Sequence, residues 1–182
     1  CTMRNEITTR LAKPDDVEDI AEIFYQGWLH AYPNKKVGVT VDDIKYKFKD
    51  RLDEDRLKKR RQFYSVNPRE GRAALVALIG NKLVGVCRIA QEESKNQIYA
   101  IYVLPEYHGV GVGKALWSDA LNYFDMSKDT YVELADYNDQ ARGFYKKLGF
   151  VDTGRRWTDE KFVFESGSSI PEMEMVIRAK SD

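Results

Sequence analysis

Three glycines alternate with valines in His108-Gly109-Val110-Gly111-Val112-Gly113, between a β-branched and aromatic run, Ile98 to Leu104, and an amphipathic segment that begins at Val112. Pro105 stops the first run, so a loop joins a strand to the start of a helix. The chemistry open to such a loop is anion binding. Backbone N–H groups converge on one concavity, the helix dipole adds partial positive charge, and the lack of side chains lets a pyrophosphate approach the backbone. The expected cradle is Gly109, Val110, Gly111, Val112, Gly113 and Lys114. Imidazoles titrate near neutrality. His108 falls in this loop, where a donor role fits better than proton abstraction. His30 stands with Tyr25, Trp28 and Tyr32 at the end of a helical segment, a group that either packs together or walls a substrate pocket. The basic run Leu57-Lys58-Lys59-Arg60-Arg61 is neutralised by Asp50, Asp53, Glu54 and Asp55 and reads as a solvated helix face. Cys87 reads as a buried, inert thiol. Two cysteines exclude a disulfide framework, and metal-ligand spacing is absent.

The elements that hold these residues must fit a chain of 182 residues with 43% hydrophobic and 32% charged side chains, enough for the core of one domain, 1–182. Cys1 and Thr2 precede Met3 and are read as appended residues. Twenty-nine basic residues balance 29 acidic ones, so there is no net field to draw nucleic acid or an anionic membrane. No apolar run is long enough to span a membrane, and the N-terminus lacks a signal-peptide core. The cytoplasm is the expected compartment.

In chain order, Glu6 to Lys13 reads as a strand and Pro14-Asp15-Asp16 opens a helix whose apolar set is Val17, Ile20, Ala21, Phe24, Trp28 and Leu29. Thr40 to Tyr64 reads as one long surface helix with a capping box of Thr40 and Asp43. Ala73 to Ile79 and Leu83 to Gln91 form a hairpin through Gly80-Asn81-Lys82, and the run from Gln97 completes an antiparallel meander. Val112, Ala115, Leu116, Ala120, Leu121 and Phe124 line one helix face before the strand Thr130 to Ala135. That strand, helix and strand make a right-handed crossover, so the fourth and fifth strands run parallel with a crevice at their carboxyl ends. Asn138 caps a helix bearing Ala141, Phe144, Tyr145 and Leu148, which Gly149 terminates. Phe150 to Gly154, Lys161 to Glu165 and Glu172 to Arg178 supply the last strands.

YVLPEYHGVGVGKAL followed by NDQARGFYKKLGF resembles the GCN5-related N-acetyltransferase superfamily, whose RxxGxG or QxxGxG loop holds acetyl-coenzyme A. His108 departs from that pattern, while Gly111 and Gly113 match it. The resemblance implies an α+β fold, a mixed αβα sandwich with a mostly antiparallel sheet of about 6–7 strands, one parallel pair and about 4 helices. It implies acetyl-coenzyme A as co-substrate and no metal. It places Tyr145 as general acid for the departing thiolate and Asn138 on the pantetheine arm. The strand's open backbone around Ile101, Tyr102 and Val103 receives the pantetheine, with the N–H of Ile101 or Tyr102 at the thioester oxygen. Trp28, Tyr32, Tyr99 and Asp136 fall on the acceptor side, as does the loop Arg155 to Glu160. Glu133, Asp136, Tyr99 or a water chain remain candidates for the base.

Acetyl transfer to an amine needs a neutral nucleophile, a held carbonyl, stabilisation of negative charge on oxygen, and a proton for sulfur. The resulting reading is an acetyl-coenzyme A-dependent N-acetyltransferase acting on a primary amine of a small molecule, polyamine or peptide, with a homodimer left open. A coenzyme-binding regulator without catalysis needs the loop but not the Tyr145 hydroxyl. An adaptor using the basic run needs a one-sided basic surface that the neighbouring acids oppose. A dinucleotide-binding fold would not follow an antiparallel meander or explain the second motif.

Overall fold

The structure is a computed structural model that describes residues 6–180; Cys1 and Thr2 lie outside the described residues. Seven strands, β1 (Ile7–Leu11), β2 (Arg72–Ile79), β3 (Lys82–Gln91), β4 (Asn96–Val103), β5 (Thr130–Ala135), β6 (Val151–Thr158) and β7 (Pro171–Ile177), form one sheet in the order β1-β2-β3-β4-β5-β7-β6. Neighbours are antiparallel except β4 and β5, the expected parallel pair. The helices are α1 (Val17–Ala31), α2 (Val41–Lys47), α3 (Glu54–Tyr64), α4 (Val112–Ala120) and α5 (Asp139–Lys147). Val112, Leu116 and Trp117 of α4 and Tyr145 of α5 bury themselves against Leu75, Cys87, Val132 and Met173 on one sheet face. Val17, Ile20 and Ile23 of α1, with Leu57 of α3, cover Ala74, Val76 and Val86 on the other. Both faces of β2 are therefore buried, and after the exposed Arg72 its sequence AALVALI is a continuous apolar run rather than an alternating one.

Two expected elements are replaced. The long helix from Thr40 to Tyr64 is two helices, α2 and α3. The capping box at Thr40 forms, with the Asp43 N–H donating to Thr40 Oγ1 at 3.1 Å and the Thr40 N–H donating to Asp43 Oδ2 at 2.8 Å. Leu52 is 51% exposed, so the middle of the stretch has no apolar face to dock. Asp53 then accepts from the N–H groups of Asp55 and Arg56 and starts α3 afresh. In the second case, Lys161 to Glu165 is a loop and not a strand, because β6 does not stop at Gly154. Gly154 sits at φ +84° within a register shift between Asp152 and Arg156, which lets the strand resume and run to Thr158. The chain beyond it turns inward, burying Phe164 and Ile170 beside Ile44. Ser166 pins it to α2 by donating from N and Oγ to the Asp43 carboxylate at 3.0 and 2.8 Å.

The feature that positions a site is the parting of β4 from β5. They pair only through Asn96↔Thr130, Gln97↔Tyr131 and Ile98↔Val132. Buried Asn96 clamps this closed end, donating from Nδ2 to the Asp125 carbonyl at 2.8 Å and from its backbone N–H to the Asp129 carbonyl at 2.8 Å. Immediately beyond, the β3 register jumps from Ile89↔Ile98 to Arg88↔Ala100, leaving Tyr99 as a bulge. A bulge bends its strand. From there β4 stays with β3 while β5 stays with β7, and among the described residues the edge of β4 facing β5 has no partner strand.

Candidate active site

The parted strands open a cleft of about 360 Å³. The Leu104 N–H donates to the Val84 carbonyl at 2.9 Å. Backbone groups alternate along a strand with period two, so Tyr102 and Ala100 also direct their N–H toward β3, whereas Ile101 and Val103 direct theirs into the cleft. Ile101 and Val103 are therefore on the open edge as expected. The Tyr102 N–H is not, because it points to β3. Tyr102 enters by its side chain instead, its hydroxyl 2.9 Å from that of Tyr32 and its ring packed edge-on to Phe24.

At the mouth of the cleft, Gly109 and Gly111 adopt φ +79° and +102°, and Gly111 is the N-cap of α4 with no side chain capping it. The first backbone bond of α4 runs from the Ala115 N–H to the Gly111 carbonyl at 3.0 Å. The N–H groups of Val112, Gly113 and Lys114 thus have no acceptor within the helix, and no acid occupies the first turn to fill that place. A methyl on Gly113 would meet the Phe144 ring at 3.0 Å, so glycine is what lets this end of α4 abut α5. These residues fit a diphosphate held by backbone donors. Val110 does not join them; it is 58% exposed and lies outside the cleft lining.

His108 lines the cleft beside the cradle, and both of its ring nitrogens are engaged by protein groups. Its Nε2 lies 2.9 Å from the Val103 carbonyl, which can only accept, so Nε2 carries the hydrogen. Nδ1 is then free to accept from the Gln140 amide nitrogen at 3.0 Å, and the Gln140 oxygen accepts from His30 Nε2 at 3.1 Å. The chain of contacts thus runs from His30 through Gln140 and His108 to the Val103 carbonyl. His30, expected among the aromatic residues of α1, is an exposed ring edge-on to His108 at 5.1 Å. No sequence signal joins residues 30, 108 and 140; only the sheet order brings them together.

On the far wall, Asn138 lines the cleft, and its Oδ1 accepts from the Ala141 N–H at 3.0 Å and caps α5. Tyr145 is 5% exposed between the rings of Phe144 and Phe150, with centroids 5.2 and 5.4 Å away. Burial, reinforced by Cys87 and Tyr32, raises its phenol far above the ordinary range and keeps it protonated. Buried Cys87 is likewise pushed up by burial, as expected of an inert thiol.

A second cavity of about 240 Å³ adjoins the first. Trp28, Tyr32 and Tyr99 line it together. Asp136 lines neither cavity; its backbone N–H donates to the Pro171 carbonyl at 3.0 Å at the end of β5. Of the segment Arg155 to Glu160, Asp159 reaches the cavity, while Arg155 to Thr158 belongs to β6. Tyr99, Tyr102, Tyr32 and Glu133 border both cavities and form the junction. The sequence reading missed Gln97 and Glu172. The alternation in β7, PEMEMVI, does put Glu172 and Glu174 opposite the buried Met173 and Met175, but it does not say what covers the acidic face. Among the described residues no cluster of three His, Cys, Asp or Glu side chains could hold a metal ion, and no helix is long and apolar enough to cross a membrane.

The family model described as "Acetyltransferase (GNAT) domain" matches residues 30–166. The chain is 39% identical over 61 residues to the peptidyl-lysine N-acetyltransferase YjaB of Escherichia coli, a match that spans 34% of this chain and only 40% of that protein. Among solved structures, YncA of Salmonella typhimurium, a putative acetyltransferase with its cofactor acetyl-CoA, superposes with a TM-score of 0.63 at 20% identity over 98% of this chain and 96% of that one. The PaiA N-acetyltransferase of Thermoplasma acidophilum in complex with coenzyme A gives a TM-score of 0.61 at 19% identity over 92% and 98%. At these identities the two structures establish the fold.

Proposed function

The chain belongs to the GNAT acetyltransferase family, and from that premise we propose that residues 1–182 act as one N-acetyltransferase domain moving an acetyl group from acetyl-coenzyme A to a primary amine. The observation that carries this reading is the unpaired β4 edge at Ile101 and Val103, with free helix N–H groups at one end and the Tyr145 hydroxyl across from it. Both structural neighbours named above hold coenzyme A or acetyl-coenzyme A, which supports the same co-substrate here.

When bound, acetyl-coenzyme A supplies an acetyl group activated as a thioester. Ile101 and Val103 pair with amide groups of the pantetheine arm as an added strand would, and Asn138 offers its amide nitrogen from α5. Val112, Gly113 and Lys114 bind the diphosphate through their N–H groups. The Ile101 N–H meets the thioester oxygen and takes up the negative charge that develops there. Tyr145 holds a proton for the departing sulfur. Glu133, at the junction of the two cavities, receives the proton of the acceptor nitrogen directly or through water. Trp28, Tyr32 and Tyr99 orient the acceptor. Its source stays open between small amines and peptide lysine, since the match to the peptidyl-lysine enzyme spans two fifths of that protein. A free Cys87 thiol fits a reducing cytoplasm.

The test is release of free coenzyme A thiol from acetyl-coenzyme A in the presence of an amine panel. Amine-dependent release is expected. Tight coenzyme binding with no release for any small amine or lysine peptide would leave a coenzyme-binding regulator instead.

A further inference from the structure

The second cavity has a composition that names a ligand class. Its walls carry the aromatic rings of Trp28, Tyr32, Tyr99, Tyr102 and Phe162, three carboxylates, Glu133, Asp159 and Glu172, and no basic side chain. At about 240 Å³ it lies below the roughly 300–1,000 Å³ usual for drug-sized ligands, which suits a linear chain of few atoms. Gln97 on β4 is 4% exposed, and its Oε1 has no hydrogen-bond partner among the described residues. The amide cannot be turned over to cure this, because its Nε2 donates to the Ile98 carbonyl at 3.3 Å and Oε1 would then face that oxygen. A buried acceptor without a donor costs about 1–3 kcal/mol, and Gln97 is one of the residues lining this cavity.

The charges around the cavity do not cancel. Arg155 pairs with Glu174 at 3.0 Å and only reaches Glu133 at 4.0 Å. Lys47 lies over the Trp28 and Phe162 rings, 4.8 and 4.3 Å from their centroids, outside the lining. Among the described residues four carboxylates, Glu133, Asp159, Glu172 and Glu174, thus face two cations, Arg155 and Lys47. Burial and the neighbouring Glu133 carboxylate push Glu172 above the ordinary carboxylate range, with Asp159 adding to the effect, while the Trp157 ring N–H and Arg155 oppose them. Aromatic walls with unneutralised acids attract alkylammonium ions.

We propose that this cavity selects a linear alkyl primary amine that carries a second positive charge. The reacting nitrogen lies at the junction beside Glu133 and Tyr99, Gln97 Oε1 accepts an N–H from the alkylammonium, and Glu172 with Asp159 holds the distal cation. This rests on the acetyltransferase reading and narrows its acceptor to a diamine or longer polyamine, in preference to an uncharged-tail amine or a lysine side chain, whose single ammonium is the reacting group.

The test compares cadaverine with pentylamine, which differ by one terminal charge, and with lysine amide acetylated at its α-amine. Direct binding is read by calorimetry, and transfer by thiol release from acetyl-coenzyme A. Cadaverine is expected to bind at least about tenfold tighter than either singly charged amine, and Glu172→Gln to lower its affinity about tenfold while narrowing its lead. If Glu172→Gln does not fold, Asp159→Asn on the exposed loop gives the same comparison. Equal affinities, or a lead for the lysine amide, would overturn the proposal even with thiol release intact. Selective cadaverine binding without thiol release from any amine would uphold the cation site and overturn the acetyltransferase reading.

Discussion

Replacing Tyr145 by phenylalanine separates packing from chemistry at one atom. The ring sits against Phe144 and Phe150 with 5% of the residue exposed, and its hydroxyl makes no hydrogen bond to another protein group among the described residues. Loss of that oxygen leaves no partner stranded, so folding stability should move by no more than about 0.5 kcal/mol. Transfer should slow. A general acid contributes about 100- to 10,000-fold, or about 2.7–5.5 kcal/mol of barrier. The low end is expected, because a thiol with a pKa of roughly 8.5 can also leave as the thiolate. Burial holds the Tyr145 phenol protonated well beyond neutrality, so the wild-type rate should show no loss of this acid between about pH 6 and 9. Single-turnover thiol release across that range, with coenzyme affinity followed by calorimetry, reads both quantities. A loss of about 100-fold in rate at unchanged affinity is expected. An undiminished single-turnover rate would assign the proton to water and retire Tyr145.

Three further outcomes follow from the geometry. At Gly111, φ +102°, a β-branched residue is strained by about 1–2 kcal/mol or more even though a Cβ would meet nothing nearer than Ile7 Cδ1 at 3.8 Å; folded Gly111→Val should lose at least about tenfold in coenzyme affinity, and unchanged affinity would remove the loop from the site. Gly27→Ala should gain about 1 kcal/mol in helix propensity. Its methyl would stand 2.6 Å from Tyr102 Cδ1, in a ring fixed by Phe24 and Tyr32, and overpacking of about 1–3 kcal/mol should prevail; a raised urea midpoint would show that Tyr102 yields freely. Burial alone would raise Asp16, but bonds from Arg10 at 2.7 and 2.9 Å and from the Lys13 N–H at 2.7 Å hold it below 3.8. Its folded value is depressed, so its stabilisation is present above 3.8 and is lost as pH falls through the lower folded value; urea midpoints should drop over that window and flatten in Asp16→Asn, and an equal drop in the variant would place the acid sensitivity elsewhere.

What sequence made legible here was local. Gly111 at a helix start and Asn138 at a cap each report on neighbours a few residues away, and both stand where spacing put them. The parallel pairing of β4 with β5 was readable because a short crossover allows one hand. The point where those strands part was not, since the bulge at Tyr99 is a mismatch with β3, which local sequence does not encode. The same limit hid the orientation of the Tyr102 N–H, which depends on pairing with β3. His30, Gln140 and His108 meet only through sheet order, and Glu172 becomes a cavity wall only because the chain after β6 turns inward on Phe164 rather than adding a strand. The break at Leu52 was masked by helix-favouring charges on either side of it.

Residue-resolved amide hydrogen exchange with and without coenzyme A tests most directly whether the parted strands form the coenzyme site. In the free protein the N–H groups of Ala100 and Tyr102, directed to β3, should exchange slowly, and those of Ile101 and Val103, which lack a partner strand, should exchange faster. Coenzyme A should slow Ile101 and Val103 and leave the intervening residues unchanged, an alternation that only an added strand on this edge produces. Uniform or absent change along β4, with protection appearing elsewhere, would contradict the cleft as the site.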